Sequence, residues 1–123
     1  MTPTVDRTML AADLSVSRVL TGLWQIADME RDGRALDPVA AARALRAYAD
    51  AGFTSFDMAD HYGSAEIVAS HLREETGGVN PVQLFTKWVP KPGPLTLADI
   101  RAAVERSLQR LRTSRLDLLQ FHA

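Results

Sequence analysis

Three apolar runs in this chain each stop on an ionisable side chain: Phe53-Thr-Ser-Phe-Asp57, Val82-Gln-Leu-Phe-Thr-Lys87 and Leu116-Asp-Leu-Leu-Gln-Phe-His122. Tyr62 lies in the turn that follows Asp57, and Gly63 closes that turn. A carboxylate at the end of an apolar strand is costly to bury unless a cation or hydrogen-bond donors meet it. Lys87 supplies such a cation from the end of a comparable run. Neighbouring strands lie about 4.8 Å apart, so groups leaving three successive strand ends converge on one small volume. There Lys87 reaches both Asp57 and Tyr62. An ammonium beside a phenol favours the phenolate, which would make Tyr62 a proton donor near neutral pH. His122, as a hydrogen-bond donor, would hold an oxygen against the tyrosine. Such a group suits protonation of a carbonyl oxygen while its carbon receives a hydride, a form of acid catalysis worth roughly 10²–10⁴-fold.

The elements that must position these groups follow from spacing and punctuation. Residues 8–17 alternate loosely around Asp13 and predict a small hairpin. Residues 18–22 predict a short strand ended by glycine, with Gly22-Leu23-Trp24-Gln25 as the loop beyond it. Asp37-Pro38 marks a helix start, an N-cap acceptor followed by proline at the first helical position. Val39, Ala42, Leu45, Tyr48 and Ala49 then recur at helical spacing, and Gly52 stands where a left-handed cap is expected. After the strand at 54–57, a second helix is predicted from about Ser64, with Ile67, Val68 and Leu72 on one face and Thr76-Gly77-Gly78 as its stop. The strand that ends at Lys87 runs into a proline-rich connector at 90–94. Thr96-Leu-Ala-Asp99 is a capping box for a third helix. Leu97, Ile100, Val104, Leu108 and Leu111 form a single apolar stripe along it. A fourth strand covers 116–121.

Strands and helices thus alternate, and the strands are continuously apolar, which predicts a parallel sheet covered by helices. No Gly-x-Gly-x-x-Gly or Gly-x-x-x-x-Gly-Lys segment follows a strand, so a (β/α) barrel fits better than a dinucleotide-binding or P-loop sheet. Barrels carry their chemistry at the C-terminal strand ends, where Asp57, Lys87 and His122 fall. Taken singly, each of these side chains has a plain structural reading: a turn cap, a solvated strand end, an exposed histidine. Their joint occurrence at consecutive strand ends carries the weight. Trp24 and Trp88 are candidates for the walls of a substrate pocket, or for packing over the barrel mouth. His61 and His71 lack metal-ligand spacing and read as surface histidines, and no metal site is expected. Arg101, Glu105 and Arg106 read as a solvated helix face.

Composition narrows the class. The chain has 123 residues, 46% of them apolar, which is enough for a packed core. Fourteen basic and fifteen acidic residues give a net charge of −1, with no like-charged block to attract nucleic acid or an anionic membrane. The absence of cysteine excludes disulfides and thiolate chemistry. No secretion signal and no stretch of about 18 apolar residues occurs, so a cytoplasmic location is expected.

The segments Val16-Ser-Arg-Val-Leu-Thr-Gly22-Leu-Trp-Gln, Phe56-Asp57-Met-Ala-Asp-His-Tyr62-Gly63, Phe85-Thr-Lys87 and Leu116-Asp-Leu-Leu-Gln-Phe-His122 resemble the aldo-keto reductase family in type, order and spacing. The resemblance implies a (β/α)8 TIM barrel and an NADP(H) cofactor, with NAD(H) not excluded. It also implies a small carbonyl substrate and a catalytic tetrad of Asp57, Tyr62, Lys87 and His122. In that scheme Tyr62 is the general acid, Lys87 favours loss of its proton, Asp57 holds Lys87 and His122 orients the carbonyl. Gly22, Trp24 and Asp57 would border the nicotinamide, and Trp24 and Trp88 the substrate. Leu23 departs from the family, which often has a small hydroxyl residue there. A complete barrel takes about 250 residues, so residues 1–123 are expected to be a partial barrel domain that ends after the fourth strand. The family's second half carries the residues that grip the rest of the cofactor. The open edge of the last strand invites pairing with a second copy or with a separate second half. Three functions follow as expectations: an NADPH-dependent carbonyl reductase, a truncated inactive fragment, and a non-catalytic interaction subunit on a reductase-like fold.

Overall fold

The computed structural model describes residues 4–30, 33–77 and 81–122. The predicted hairpin forms from β1 (Arg7–Ala11) and β2 (Leu14–Ser17), paired antiparallel. The chain then alternates through β3 (Thr21–Gly22), α1 (Trp24–Met29), α2 (Pro38–Asp50), β4 (Ser55–Asp57), α3 (Ala65–Thr76), β5 (Gln83–Trp88), α4 (Leu97–Leu111) and β6 (Leu118–Phe121). Strands β3, β4, β5 and β6 form one sheet in that order, every pair parallel. This is the first half of a (β/α)8 barrel. No described helix is long and apolar enough to cross a membrane.

Two expectations about the first strand need correction. It is confined to Thr21–Gly22 rather than 18–22, because the Arg18 amide is already bonded to the Asp6 carbonyl beside the hairpin. The segment after Gly22 is not a loop but helix α1. The Leu23 amide bonds the Asp57 carbonyl at 2.9 Å, and Leu23 and Ile26, three residues apart, both enter the core. Leu23 is therefore a packing residue.

The helix starts agree with their caps. Asp37 accepts from the amides of Val39 and Ala40, and Pro38 occupies the first turn of α2. Gly52 follows the helix at φ 101°, and a Cβ there would lie 3.0 Å from a Val5 methyl. Gly77 ends α3 in the left-handed region; Gly78, also expected in that stop, lies outside the described residues. Thr96 and Asp99 bond reciprocally as a capping box, which satisfies amides that the first turn of α4 leaves free.

Phe56, Leu72, Val68, Leu23, Met58 and Leu111 are almost wholly buried between sheet and helices. Removing each larger side chain from water contributes up to about 1.5–3 kcal/mol. The apolar faces predicted for the helices are covered unevenly. On α3, Val68 and Leu72 are buried but Ile67 is 40% exposed. On α4 the fully covered row is Ala103, Ser107 and Leu111; the small residues allow close approach, and Leu97 and Ile100 from the predicted stripe remain exposed. Tyr48 on α2 is exposed as well.

Polar groups close the N-terminal end of the sheet. Arg7 bonds Thr54 and Gln83, Ser17 exchanges bonds with Thr54 and Ser55, and Ser55 donates to Gln83. The C-terminal end is left for the ionisable residues.

Candidate active site

Strand alternation decides which side chains meet at that end. Gly22 pairs with Asp57, Asp57 with Phe85, and Lys87 with Gln120. Gln83, Phe85 and Lys87 share one face of β5, while Leu84, Thr86 and Trp88 share the other, since successive strand residues point to opposite faces. Thr86 bonds Glu66 of α3 at 2.9 Å, which identifies its face as the one toward the helices.

Lys87 and Asp57 meet as expected. Lys87 Nζ donates to Asp57 Oδ2 at 2.6 Å and to the Met58 carbonyl at 3.0 Å. Their side chains are only 14% and 27% exposed, so the pair is largely shielded from water, where an ion pair is stronger than at a surface. The same ammonium lies 5.3 Å from the centroid of the Tyr62 ring, a distance at which the cation is attracted to the ring face. Trp24 meets Tyr62 edge to face at 5.0 Å. His122 extends beyond β6 with its amide bonded to the Trp88 carbonyl, and its side chain is exposed. All four tetrad positions and Trp24 are thus at one end of the sheet. Trp88 is not brought to this group. It is on the helix-facing side of β5, 9% exposed, with its ring against Phe121 at 5.7 Å. Strand alternation places it one face away from Lys87.

The turn that carries Tyr62 is tied down from three sides. Asp60 donates its amide to the Lys87 carbonyl at 3.0 Å. Its own carbonyl accepts from Arg110 at 2.8 Å, and Arg110 also pairs with the buried Glu66 at 3.1 Å. Glu30 accepts from both the amide and the hydroxyl of Ser64, directly after Gly63. A Cβ on Gly63 would come within 2.9 Å of that Glu30 oxygen, the movable end of a side chain, so it is the φ of 52° that calls for glycine there.

His61 reads in the sequence as a surface histidine, and its side chain is indeed 47% exposed. Yet its ring lies 4.9 Å from that of Tyr62 and 6.3 Å from that of His122, and its Nδ1 is 3.3 Å from Asp60 Oδ1. Its place next to Tyr62 in the sequence was the available signal. His71, by contrast, is on α3 near Glu74. Among the described residues no cluster of three or more His, Cys, Asp or Glu could hold a metal ion.

A groove of about 660 Å³ runs along the outer edge of β3, lined by Val19, Leu20, Leu45, Tyr48 and Phe53 among others. It reaches the polar group only at Gly22. It records apolar surface left uncovered at the sheet edge rather than a reaction chamber. An ideal Cβ built on Gly22 meets no atom within 4 Å, so there is open space beside the strand end that pairs with Asp57.

Comparison with known proteins gives the family and the fold. Residues 18–123 match the profile of the Aldo/keto reductase family. The chain is 36% identical over 95 residues to the human aflatoxin B1 aldehyde reductase member 2, covering 74% of this chain and 26% of that protein. It is 29% identical to 6-dehydroglucose reductase of Novosphingobium aromaticivorans, covering 98% of this chain and 42% of the relative. Among solved structures, an aldo-keto reductase of Pseudomonas aeruginosa superposes with a TM-score of 0.74 at 27% identity, covering 95% of this chain and 46% of that one. One from Klebsiella pneumoniae in complex with NADPH gives 0.72 at 27% identity, covering 98% and 40%. The chain therefore spans less than half the length of these relatives, and with a family match over residues 18–123 it belongs to the aldo-keto reductase family.

Proposed function

We propose that this chain carries the catalytic groups of an NADP(H)-dependent reductase of aldehydes or ketones, with NAD(H) as the alternative dinucleotide. The observation that carries the reading is the Lys87–Asp57 pair at 2.6 Å beside Tyr62 at the C-terminal strand ends. The open space beside Gly22 and the half-exposed Trp24 ring fit the flat nicotinamide end of such a cofactor. The part of the barrel that grips the remainder belongs to the family's second half. When bound, the cofactor supplies a hydride for the carbonyl carbon. The roles of this chain's residues are separate. Tyr62 gives its hydroxyl proton to the carbonyl oxygen, and Lys87 stabilises the phenolate that remains. Asp57 keeps the ammonium in place, and the His122 imidazole orients the carbonyl oxygen.

The reading predicts saturable NADPH binding, followed by fluorescence, and aldehyde reduction that falls about 10²–10⁴-fold in Tyr62→Phe. Turnover insensitive to that substitution would remove Tyr62 from its role. Absence of NADPH binding by the 123-residue chain would favour a second reading: a partial barrel domain over residues 1–123 that is inactive or serves in interaction. The observation in its favour is the exposure of Tyr48 in the groove beside edge strand β3 and of Phe121 on edge strand β6. On that reading a second copy or a separate second half covers those edges, and light scattering reports the association.

A further inference from the structure

Glu66 is a buried carboxylate that the reductase roles proposed above leave without a task. It lies in the first turn of α3 and is 2% exposed. Its Oε2 accepts from the Thr86 hydroxyl at 2.9 Å, one residue before Lys87 on β5, and its Oε1 accepts from Arg110 Nη1 at 3.1 Å. The same Arg110 nitrogen donates to the Asp60 carbonyl at 2.8 Å. The Asp60 amide in turn donates to the Lys87 carbonyl at 3.0 Å. These bonds close a ring through Thr86, Glu66, Arg110, Asp60 and Lys87. The ring ties the turn that carries Tyr62 to the strand that carries the ammonium.

Stability alone does not require such a pair. Taking a carboxylate out of water is costly, and a buried ion pair can often be exchanged for apolar side chains of similar volume without loss. An apolar pair, however, cannot aim a donor at the Asp60 carbonyl. We infer that Arg110 is a positioning residue for the proton donor: it holds the Tyr62 turn in register with Lys87, and Glu66, oriented by Thr86, holds Arg110. The inference rests on the reductase reading, which makes Tyr62 the donor. Glu66 and Arg110 act from the helix side of β5, through the Asp60 backbone, so their effect falls on the rate of proton transfer rather than on cofactor binding. A displacement of about 1 Å near reacting groups can lower a rate about 10²-fold.

The test compares Arg110→Met with the double variant Glu66→Gln/Arg110→Met. In Arg110→Met the Asp60 carbonyl and the buried carboxylate both lose a donor. Glu66→Gln then takes away the unpaired buried charge and keeps a side chain that can bond Thr86, so the double variant is expected to regain stability in urea unfolding. A pair that served stability alone would regain turnover with it. The expected result is instead that kcat for aldehyde reduction stays about 10- to 10²-fold below wild type in the double variant, with KM and NADPH affinity nearly unchanged. Amide exchange, compared at one pH, gives a readout independent of turnover. In the double variant the Asp60 amide is expected to lose protection, while the Met58 amide, bonded to the Phe85 carbonyl, keeps it. Recovery of kcat together with stability, or unchanged Asp60 protection, overturns the inference. Loss of Asp60 protection in a chain whose wild type reduces no aldehyde upholds the hold on the turn and removes the reductase reading instead.

Discussion

Strands β5 and β6 are built from the same kind of sequence, an apolar run that ends on an ionisable residue, and meet different surroundings. β5 has a parallel neighbour on each side and helices over the face that carries Leu84 and Thr86. Its Lys87, one residue before the strand's end, is held at two hydrogen bonds. β6 has one neighbour, Phe121 is 61% exposed, and His122 is anchored through its backbone amide. An apolar run is enough to specify a strand, whereas the rigidity of the group at its end depends on how many neighbours the strand has. Local stability follows the same division, since hydrogen bonds between covered strands open less often than those at an edge.

The contrast can be broken most forcefully from the centre. Phe85→Ala, which empties a site only 1% exposed, is expected to cost about 3–5 kcal/mol in urea unfolding. Phe121→Ala is expected to cost no more than about 1 kcal/mol, the scale of its edge contact with Trp88, and to change Trp88 fluorescence. Equal losses at the two positions would show that β6 is as well covered as β5. Between these extremes, Arg110→Met leaves the buried Glu66 with Thr86 as its remaining partner and should cost about 1–3 kcal/mol. Because Arg110 also holds the Asp60 carbonyl, the same variant should lower aldehyde turnover if the Tyr62 turn must be held still.

The smallest effect concerns the exposed start of α4. The amide and hydroxyl of Thr96 hold the Asp99 carboxyl below its ordinary range. A carboxyl with a lowered folded value contributes stability that is present above its unfolded value and lost as pH falls through the folded one. Protection of the amides in the first turn of α4, their exchange taken relative to the intrinsic rate at each pH, should therefore fall as pH drops through the carboxyl range, and in Asp99→Asn it should be nearly flat over that range. A slope that survives in Asp99→Asn would assign it to another group.

Local chemistry made the elements around the site legible in the sequence. The caps at Asp37 and Thr96, the glycine at 77 and the apolar runs at β4 and β5 each depend on residues within a few positions of one another. The Lys87–Asp57 pair was also within reach, because a carboxylate and an ammonium on neighbouring apolar strands have strong reason to meet. The aldo-keto reductase motifs added their order along the chain. The structure alone decided matters that depend on what lies across the sheet. Helix α1 starts directly after Leu23, whose amide finds the Asp57 carbonyl. Trp88 turns from the mouth because it falls on the opposite face of β5 from Lys87. His61 becomes a neighbour of His122 through a turn fixed by Asp60, Arg110 and Glu30. A sequence specifies backbone preference within a few residues, but a side chain's partners are set by strand register and by which neighbours exclude water, and both are properties of the assembled sheet.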